Sequence, residues 1–241
     1  MAPDSTLRSV AVHSSGVLLL ISLSAAAQPP LTLGVTAGVP MSDTLRTYQS
    51  SGRFGGFQSE SATRRYVAGG TVGAPLSSRL SLSLGVQYRR FGYDYDTWAF
   101  PLSLQFTHFR GTGASVEVPA LLKWSVIHRR SFAPYVALGA TYRRLAGMNE
   151  AQTLYDNFYL TNPQLVKESS SDQPQLLRNR NALAPSVAGG IEFRARRLLI
   201  APEIRYTRWH SDTLGGFLDP IRWNWQQLDF LLGVAFPLGR R

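Results

Sequence analysis

The chain has 241 residues, no cysteine, a formal net charge of +10, and 17% charged against 44% hydrophobic residues. Without cysteine there is neither a disulfide framework nor a thiolate metal site. Its arginines are scattered through strand-like segments and their turns rather than gathered into a basic run, which argues against nucleic acid and suits anionic lipid headgroups.

Residues 1–27 read as an export signal. Arg8 supplies a positive end, Val17 to Leu23 a short apolar run, and Ala25, Ala26 and Ala27 a small-residue cleavage site before Gln28. That run is too short to cross a bilayer as a helix, and no later stretch is long enough either. Residues 28–241 are expected to form one β domain, so any membrane residence has to be by strands.

Strand one alternates Leu31, Leu33, Val35, Ala37 and Val39 with Thr32, Gly34, Thr36 and Gly38. A long polar segment, 42–63, precedes strand two, whose apolar face is Tyr66, Ala68, Gly70, Val72, Ala74 and Leu76. After a tight connection at Ser77, Ser78 and Arg79 comes strand three, with Leu80, Leu82, Leu84, Val86 and Tyr88 against Ser81, Ser83, Gly85, Gln87 and Arg89. It runs into 94–109, read as a loop or an extension above a membrane.

Strand four sets Ala114, Val116, Val118, Ala120, Leu122, Trp124 and Val126 against Ser115, Glu117, Pro119, Lys123 and Ser125, and ends in a basic turn at 128–131. Strand five alternates Val136, Leu138, Ala140 and Tyr142 with Tyr135, Ala137, Gly139, Thr141 and Arg143. The longest irregular piece is expected at 147–181; its Tyr155, Phe158 and Tyr159 could anchor a partner, but the expectation is that they pack on neighbouring loops or prolong the hairpin. Strand six sets Val187, Gly189, Ile191 and Phe193 against Ser186, Ala188, Gly190, Glu192 and Arg194, and turns sharply at Ala195, Arg196 and Arg197. Strand seven sets Leu198, Ile200, Pro202, Ile204 and Tyr206 against Ala201, Glu203, Arg205 and Thr207. A loop over 210–222 leads to strand eight, where Leu228, Phe230, Leu232, Val234, Phe236 and Leu238 alternate with Gln227, Asp229, Gly233 and Ala235. Pro119 and Pro202 each cost a ladder hydrogen bond, so bulges are expected there.

The connections alternate long and short throughout. Together with the even strand count and strands of about 9–11 residues, this gives an all-β fold, an eight-stranded antiparallel up-and-down transmembrane β-barrel. The segments Val116 to Trp124 (VEVPALLKW), Pro134 to Gly139 (PYVALG), Pro202 to Tyr206 (PEIRY) and Leu228 to Phe236 resemble the small outer-membrane barrels of Gram-negative bacteria, of the OmpA and OmpX transmembrane type and more closely the PorT-like barrel domain. Phe236 departs from the family pattern, because Pro237 to Arg241 follow the expected terminal aromatic. The resemblance implies a multi-pass protein of the cell outer membrane, inserted by the barrel-assembly machinery and monomeric.

If the apolar parity faces lipid, Arg89, Glu117, Lys123, Arg143, Glu192, Arg194, Glu203, Arg205 and Asp229 point into a lumen just wide enough for side chains to fill it. There they are expected to form a polar network that plugs and fixes the barrel, since an unpaired buried charge is costly, the lesser alternative being a conducting pathway. A second pattern places Tyr88, Tyr142 and Tyr206 near the outer ends of strands three, five and seven, with Arg90, Arg144 and Arg208 two residues on; strand two carries the mirror order, Arg64 then Tyr66. These eight residues are expected to form a belt at headgroup level whose guanidinium groups contact lipopolysaccharide phosphates or simply snorkel.

Catalysis has little to draw on. His210, Ser211 and Asp212 evoke lipid deacylases, but neighbouring strand residues point to opposite faces, so His210 is badly placed to activate Ser211. No paired-histidine spacing or glycine-rich phosphate loop is present, so no metal and no cofactor is expected. The expected role is a non-enzymatic envelope or surface protein acting through its loops and lipid contacts. The rivals are a lipid-modifying outer-membrane enzyme and a secreted lipocalin-like barrel, which would turn the oily parity inward.

Overall fold

The period-two pattern closes into a ring. The structure is a computed structural model that describes residues 31–52, 55–62, 66–99, 105–127, 131–156, 164–174, 176–195, 198–210 and 221–238. The proposed signal peptide at 1–27, Arg64, His128, Phe158, Tyr159, Arg196, Arg197, Ser211 and Asp212 lie outside the described residues.

Eight strands form the barrel: β1 (Leu31–Pro40), β2 (Val67–Pro75), β3 (Leu80–Ala99), β4 (Phe106–Ser125), β5 (Phe132–Asp156), β6 (Asn181–Ala195), β7 (Leu198–Arg208) and β8 (Gln226–Leu238). Each pairs antiparallel with the next in sequence. The ring is completed by β1 against β8, from Leu31↔Leu238 to Pro40↔Asp229. Closure removes both sheet edges over this height, which is how a β fold satisfies its backbone without water.

Above the ring, on the long-loop side, the sheet continues. β3, β4 and β5 extend well beyond their neighbours, and where β2 ends its place beside β3 is taken by Gly55–Ser61, which in turn pairs Tyr48–Gly52. On the other flank Gln164–Ser171 pairs the upper part of β5. Within the segment expected to be irregular from 147, residues 150–156 and Gln164–Ser171 are thus paired strand, and 94–99 and 106–109 continue β3 and β4, the extension that the sequence offered beside a loop. Leu45–Arg46 and Arg222–Trp223 form a small pair across the mouth.

The bulges expected at Pro119 and Pro202 are absent. Around Pro119 the register to β5 is unbroken, and to β3 it is the same at Leu84↔Ala120 and Gln87↔Glu117. Gly85 makes room for the proline: a Cβ there would stand 3.2 Å from Pro119 Cγ. Pro202 likewise keeps its pairing to Leu232, and Gly190↔Glu203 and Phe193↔Ile200 preserve one register on its other side. A missing donor can be tolerated locally without inserting a residue. Register shifts instead fall above the ring, between Leu154 and Tyr155 and between Thr112 and Ala114, the latter opposite Gly147, whose φ of 59° lies in the left-handed region that glycine takes at no steric cost.

Leu45, Phe91, Tyr93, Tyr95, Leu145, Met148, Ile221 and Trp223 form a buried cluster over the long-loop mouth, with Phe109, Leu176 and Leu177 against it. Tyr93 lies directly across from Gly111 on β4, and any Cβ at Gly111 would run into its ring. Gly111→Val is therefore expected to displace Tyr93 and destabilise this cap by about 1–3 kcal/mol. The expected signature is faster proteolysis of the β3–β4 extension, with the barrel itself remaining folded.

Candidate functional site: the lumen and the outer belt

Which parity faces outward decides what the barrel can be. Leu33, Val35, Leu84, Val86, Leu122, Trp124, Leu138, Leu183, Ile204, Phe230, Leu232 and Phe236 are all exposed, although they are large and apolar. Arg89, Glu117, Arg143, Glu203, Arg205 and Asp229 are all buried. This is the reverse of a soluble lipocalin-like barrel and overturns that alternative.

The interior is layered. At the short-turn mouth Arg194 shares the inward parity but is exposed, and Lys123 and Glu192 are partly buried. Lys123 Nζ stands 3.7 Å from Glu192, 3.8 Å from Glu203 and 4.4 Å from the centre of the Tyr135 ring. Glu203 is held more tightly: Tyr135 OH donates to one oxygen at 2.7 Å, and Arg205 donates twice to the other at 2.6 and 3.0 Å. A vestibule of about 600 Å³, walled by Thr36, Thr71, Ser83, Lys123, Glu192 and Arg205 among others, occupies this half of the lumen. The expected polar plug therefore fills the long-loop half only.

Between vestibule and plug are residues that the reading by parity passed over. Leu121 and Leu231 point inward and are 1% exposed, Leu121 packing with Tyr135, Ala137 and Ala188. The inward parity is thus not uniformly small or polar. Both leucines occupy positions that strict alternation assigns to the lumen, so parity alone, applied without regard to residue type, would have placed them.

The plug is a knot of charges drawn from opposite sides of the ring. Arg89 donates from Nε to Glu117 Oε1 at 3.2 Å and from Nη2 to Asp229 Oδ2 at 2.7 Å. Gln227 Nε2 donates to Glu117 Oε2 at 3.1 Å and to Asp229 Oδ2 at 2.9 Å, and its own oxygen accepts from Trp209 Nε1 at 2.9 Å. Arg205 Nη1 donates to Gln87 Oε1 at 3.0 Å, tying the knot to the layer below. Beside it runs a hydroxyl chain, Thr141 to Ser186 at 2.7 Å and Ser186 to Thr207 at 2.9 Å. Arg143 ends the series, its Cζ 3.6 Å from the ring centre of Trp209 and 4.2 Å from that of Trp223. Trp209 and Trp223 gave no sequence signal, because they stand just outside the alternating runs of β7 and β8.

Higher still, beyond the ring, Tyr93 OH donates to Glu150 Oε2 at 2.8 Å within the aromatic cap. Burial pushes the Glu150 carboxyl above its usual range, with the tyrosine bond opposing. An acid whose folded pKa exceeds its unfolded one binds more protons when folded, so the cap is most stable below the unfolded carboxylate range and weakens as pH rises through the folded value. Hydrogen exchange in the cap is expected to quicken as the pH rises above the range in which an ordinary carboxyl group titrates, because the Glu150 value is raised by burial. Glu150→Gln should flatten that dependence.

Of the belt, Arg144 and Arg208 are exposed, Arg90 is half-buried, and Tyr66, Tyr88 and Tyr142 are exposed with Tyr206 half-buried. Tyr142 OH donates to Asn181 Oδ1 at 2.7 Å. The three described arginines stand on alternate strands, β3, β5 and β7, hence roughly 10 Å apart by strand spacing. The structure does not gather them into one cluster. His210 is exposed; among the described residues no group of acidic or histidine side chains is arranged to hold a metal.

No protein-family model matches the chain, and neither does any curated protein. Among solved structures it is similar to the outer membrane protein OprG from Pseudomonas aeruginosa, at 13% identity and a TM-score of 0.42, over 87% of this chain and 97% of that one. It is also similar to Neisserial surface protein A, at 11% identity and 0.37 over 86% and 97%, and to Ail of Yersinia pestis, at 9% identity and 0.34 over 87% and 97%. At such identities and scores these likenesses add nothing to a barrel already established by its own closed hydrogen-bond ring.

Proposed function

We propose that the chain is an integral protein of the outer membrane of a Gram-negative envelope, monomeric and without catalytic activity. On this reading it acts through the sheet and loops on its long-loop side and through the lipids around it. One observation carries this: a closed ring whose outer face is a continuous apolar band and which, across the height of that band, holds Arg89, Glu117, Arg143, Glu203, Arg205 and Asp229 inside. A patch of that extent does not survive in water. The band also has edges. Trp124, Phe193 and Phe236 ring the short-turn side, and Tyr66, Tyr88, Tyr142 and Tyr206 the long-loop side. Eight residues at about 3.3 Å, tilted near 40°, separate the two girdles by roughly 20 Å, close to the apolar height of such barrels.

A PorT-like affiliation and insertion by the barrel-assembly machinery belong to the same proposal. Fractionation tests it: the protein should be extracted from outer membranes by detergent and should migrate differently on gels before and after heating, whereas recovery in the soluble periplasm would refute the reading. We propose further that Arg90, Arg144 and Arg208 engage lipopolysaccharide phosphates one by one from separate strands, each charge-assisted contact being stronger than a neutral one, and that Arg64 belongs to the same set. Changing all four to Gln is expected to reduce co-purifying lipopolysaccharide several-fold; unchanged retention would leave only snorkelling.

A further inference from the structure

The central knot leaves a set of buried polar atoms unsatisfied, and they lie together. Arg143 is 1% exposed, and none of its three guanidinium nitrogens has a hydrogen-bond partner. Gln87 Nε2, Ser115 Oγ and Asp229 Oδ1 share that condition. The register brings them close: Gln87 pairs Glu117, Glu117 pairs Arg143, and Ser115 pairs Arg89, which itself reaches Asp229. The indoles of Trp209 and Trp223 offset part of the cost of burying the Arg143 charge, but they offer its N–H groups no lone pair.

We propose that this region is an internal water-binding site, with water oxygens accepting from Arg143 and Gln87 and water protons donated to Asp229 Oδ1 and, through a bridge, to Glu117. The donor excess calls for a ligand rich in acceptors, and water and a small anion both qualify. Charge decides between them. Arg89 and Arg143 are balanced by Glu117 and Asp229, so an added anion would leave the knot net negative beside two carboxylates, whereas water leaves it neutral. A buried water ordinarily makes about three hydrogen bonds, and the site supplies that many.

The site is closed on both sides. Below, Leu121, Leu231 and the Arg205–Gln87 contact separate it from the vestibule; above stand Trp209, Trp223 and the cap cluster. Water held there exchanges slowly and does not form a through-path.

The test is nuclear magnetic resonance of the full-length protein refolded in micelles with ¹⁵N-arginine, in which the ring currents of two indoles set the Arg143 Nε–H apart. Dipolar cross-peaks between that proton and water, with a residence time far above bulk, are expected, and bromide at constant ionic strength should not move them. An assigned Arg143 resonance with no cross-peak to water would overturn the proposal. So would a shift that titrates with bromide, which would assign the site to an anion.

Discussion

Arg89→Met is expected to destabilise the barrel more than any other single lumen substitution. One guanidinium faces both Glu117 and Asp229, all three side chains being 2% exposed, so its removal strands two carboxylates on opposite sides of a narrow lumen. Breaking a buried pair from one side typically costs about 3–5 kcal/mol, because the orphaned charge keeps its desolvation penalty and loses its compensation. Arg143 is the next cation along, but it makes no ion pair with either carboxylate and is engaged with two indoles, so it is a poor substitute. The measurement is the urea midpoint of the protein refolded into bilayers. The triple change Arg89→Met, Glu117→Gln, Asp229→Asn should recover most of the loss, since removing the whole set removes the imbalance. A single variant with wild-type stability would show that the knot contributes nothing to holding the ring closed.

The eight barrel strands and their order could be read from the residues because two independent signals agree over the ring. Alternation with period two sets the faces, and short basic turns set the pairing. Arg89, Glu117, Arg143, Glu203, Arg205 and Asp229 are buried for the same reason, whereas Arg194, assigned to the same parity, is exposed at the short-turn mouth. The extensions were obscured by a change of phase. On β3 the apolar residues are even-numbered from Leu80 to Tyr88, facing outward; from Phe91 through Tyr93 to Tyr95 they are odd-numbered and face inward, into the cap. The same reversal occurs on β5, between Tyr142 outside and Leu145 inside. Nothing about the strand changes there except its surroundings: below the switch the oily side belongs outside, above it the oily side belongs in the only dry place left. Scored against a single parity, such a strand looks as if it has ended. The partners within the knot were less legible still, because Gln227, Asp229 and Arg89 meet across the ring at a separation of up to 140 residues, and only barrel geometry says which inward residues face one another.

Leu138→Arg separates the membrane reading from every soluble alternative. Leu138 is 65% exposed, on the outward face of β5, flanked by Leu122 on β4 and Val187 on β6, both exposed as well. If that face met water, an arginine there would be nearly neutral, since exposed substitutions away from special features usually fall within about 0.5 kcal/mol. In hydrocarbon near the bilayer midplane the same change on the outer face of a barrel costs about 2–4 kcal/mol. Tyr142 and Arg144 on the same strand provide the control, because depth is the variable: an arginine six residues higher already stands at the rim, where the penalty falls to about 0–1 kcal/mol. Folding yield into bilayers, read by the heat-dependent gel shift, should therefore collapse for Leu138→Arg and remain near wild type for Tyr142→Arg. Equal yields for the two variants would mean that the outer face senses no gradient of polarity along β5, and a barrel with that property does not lie across a membrane.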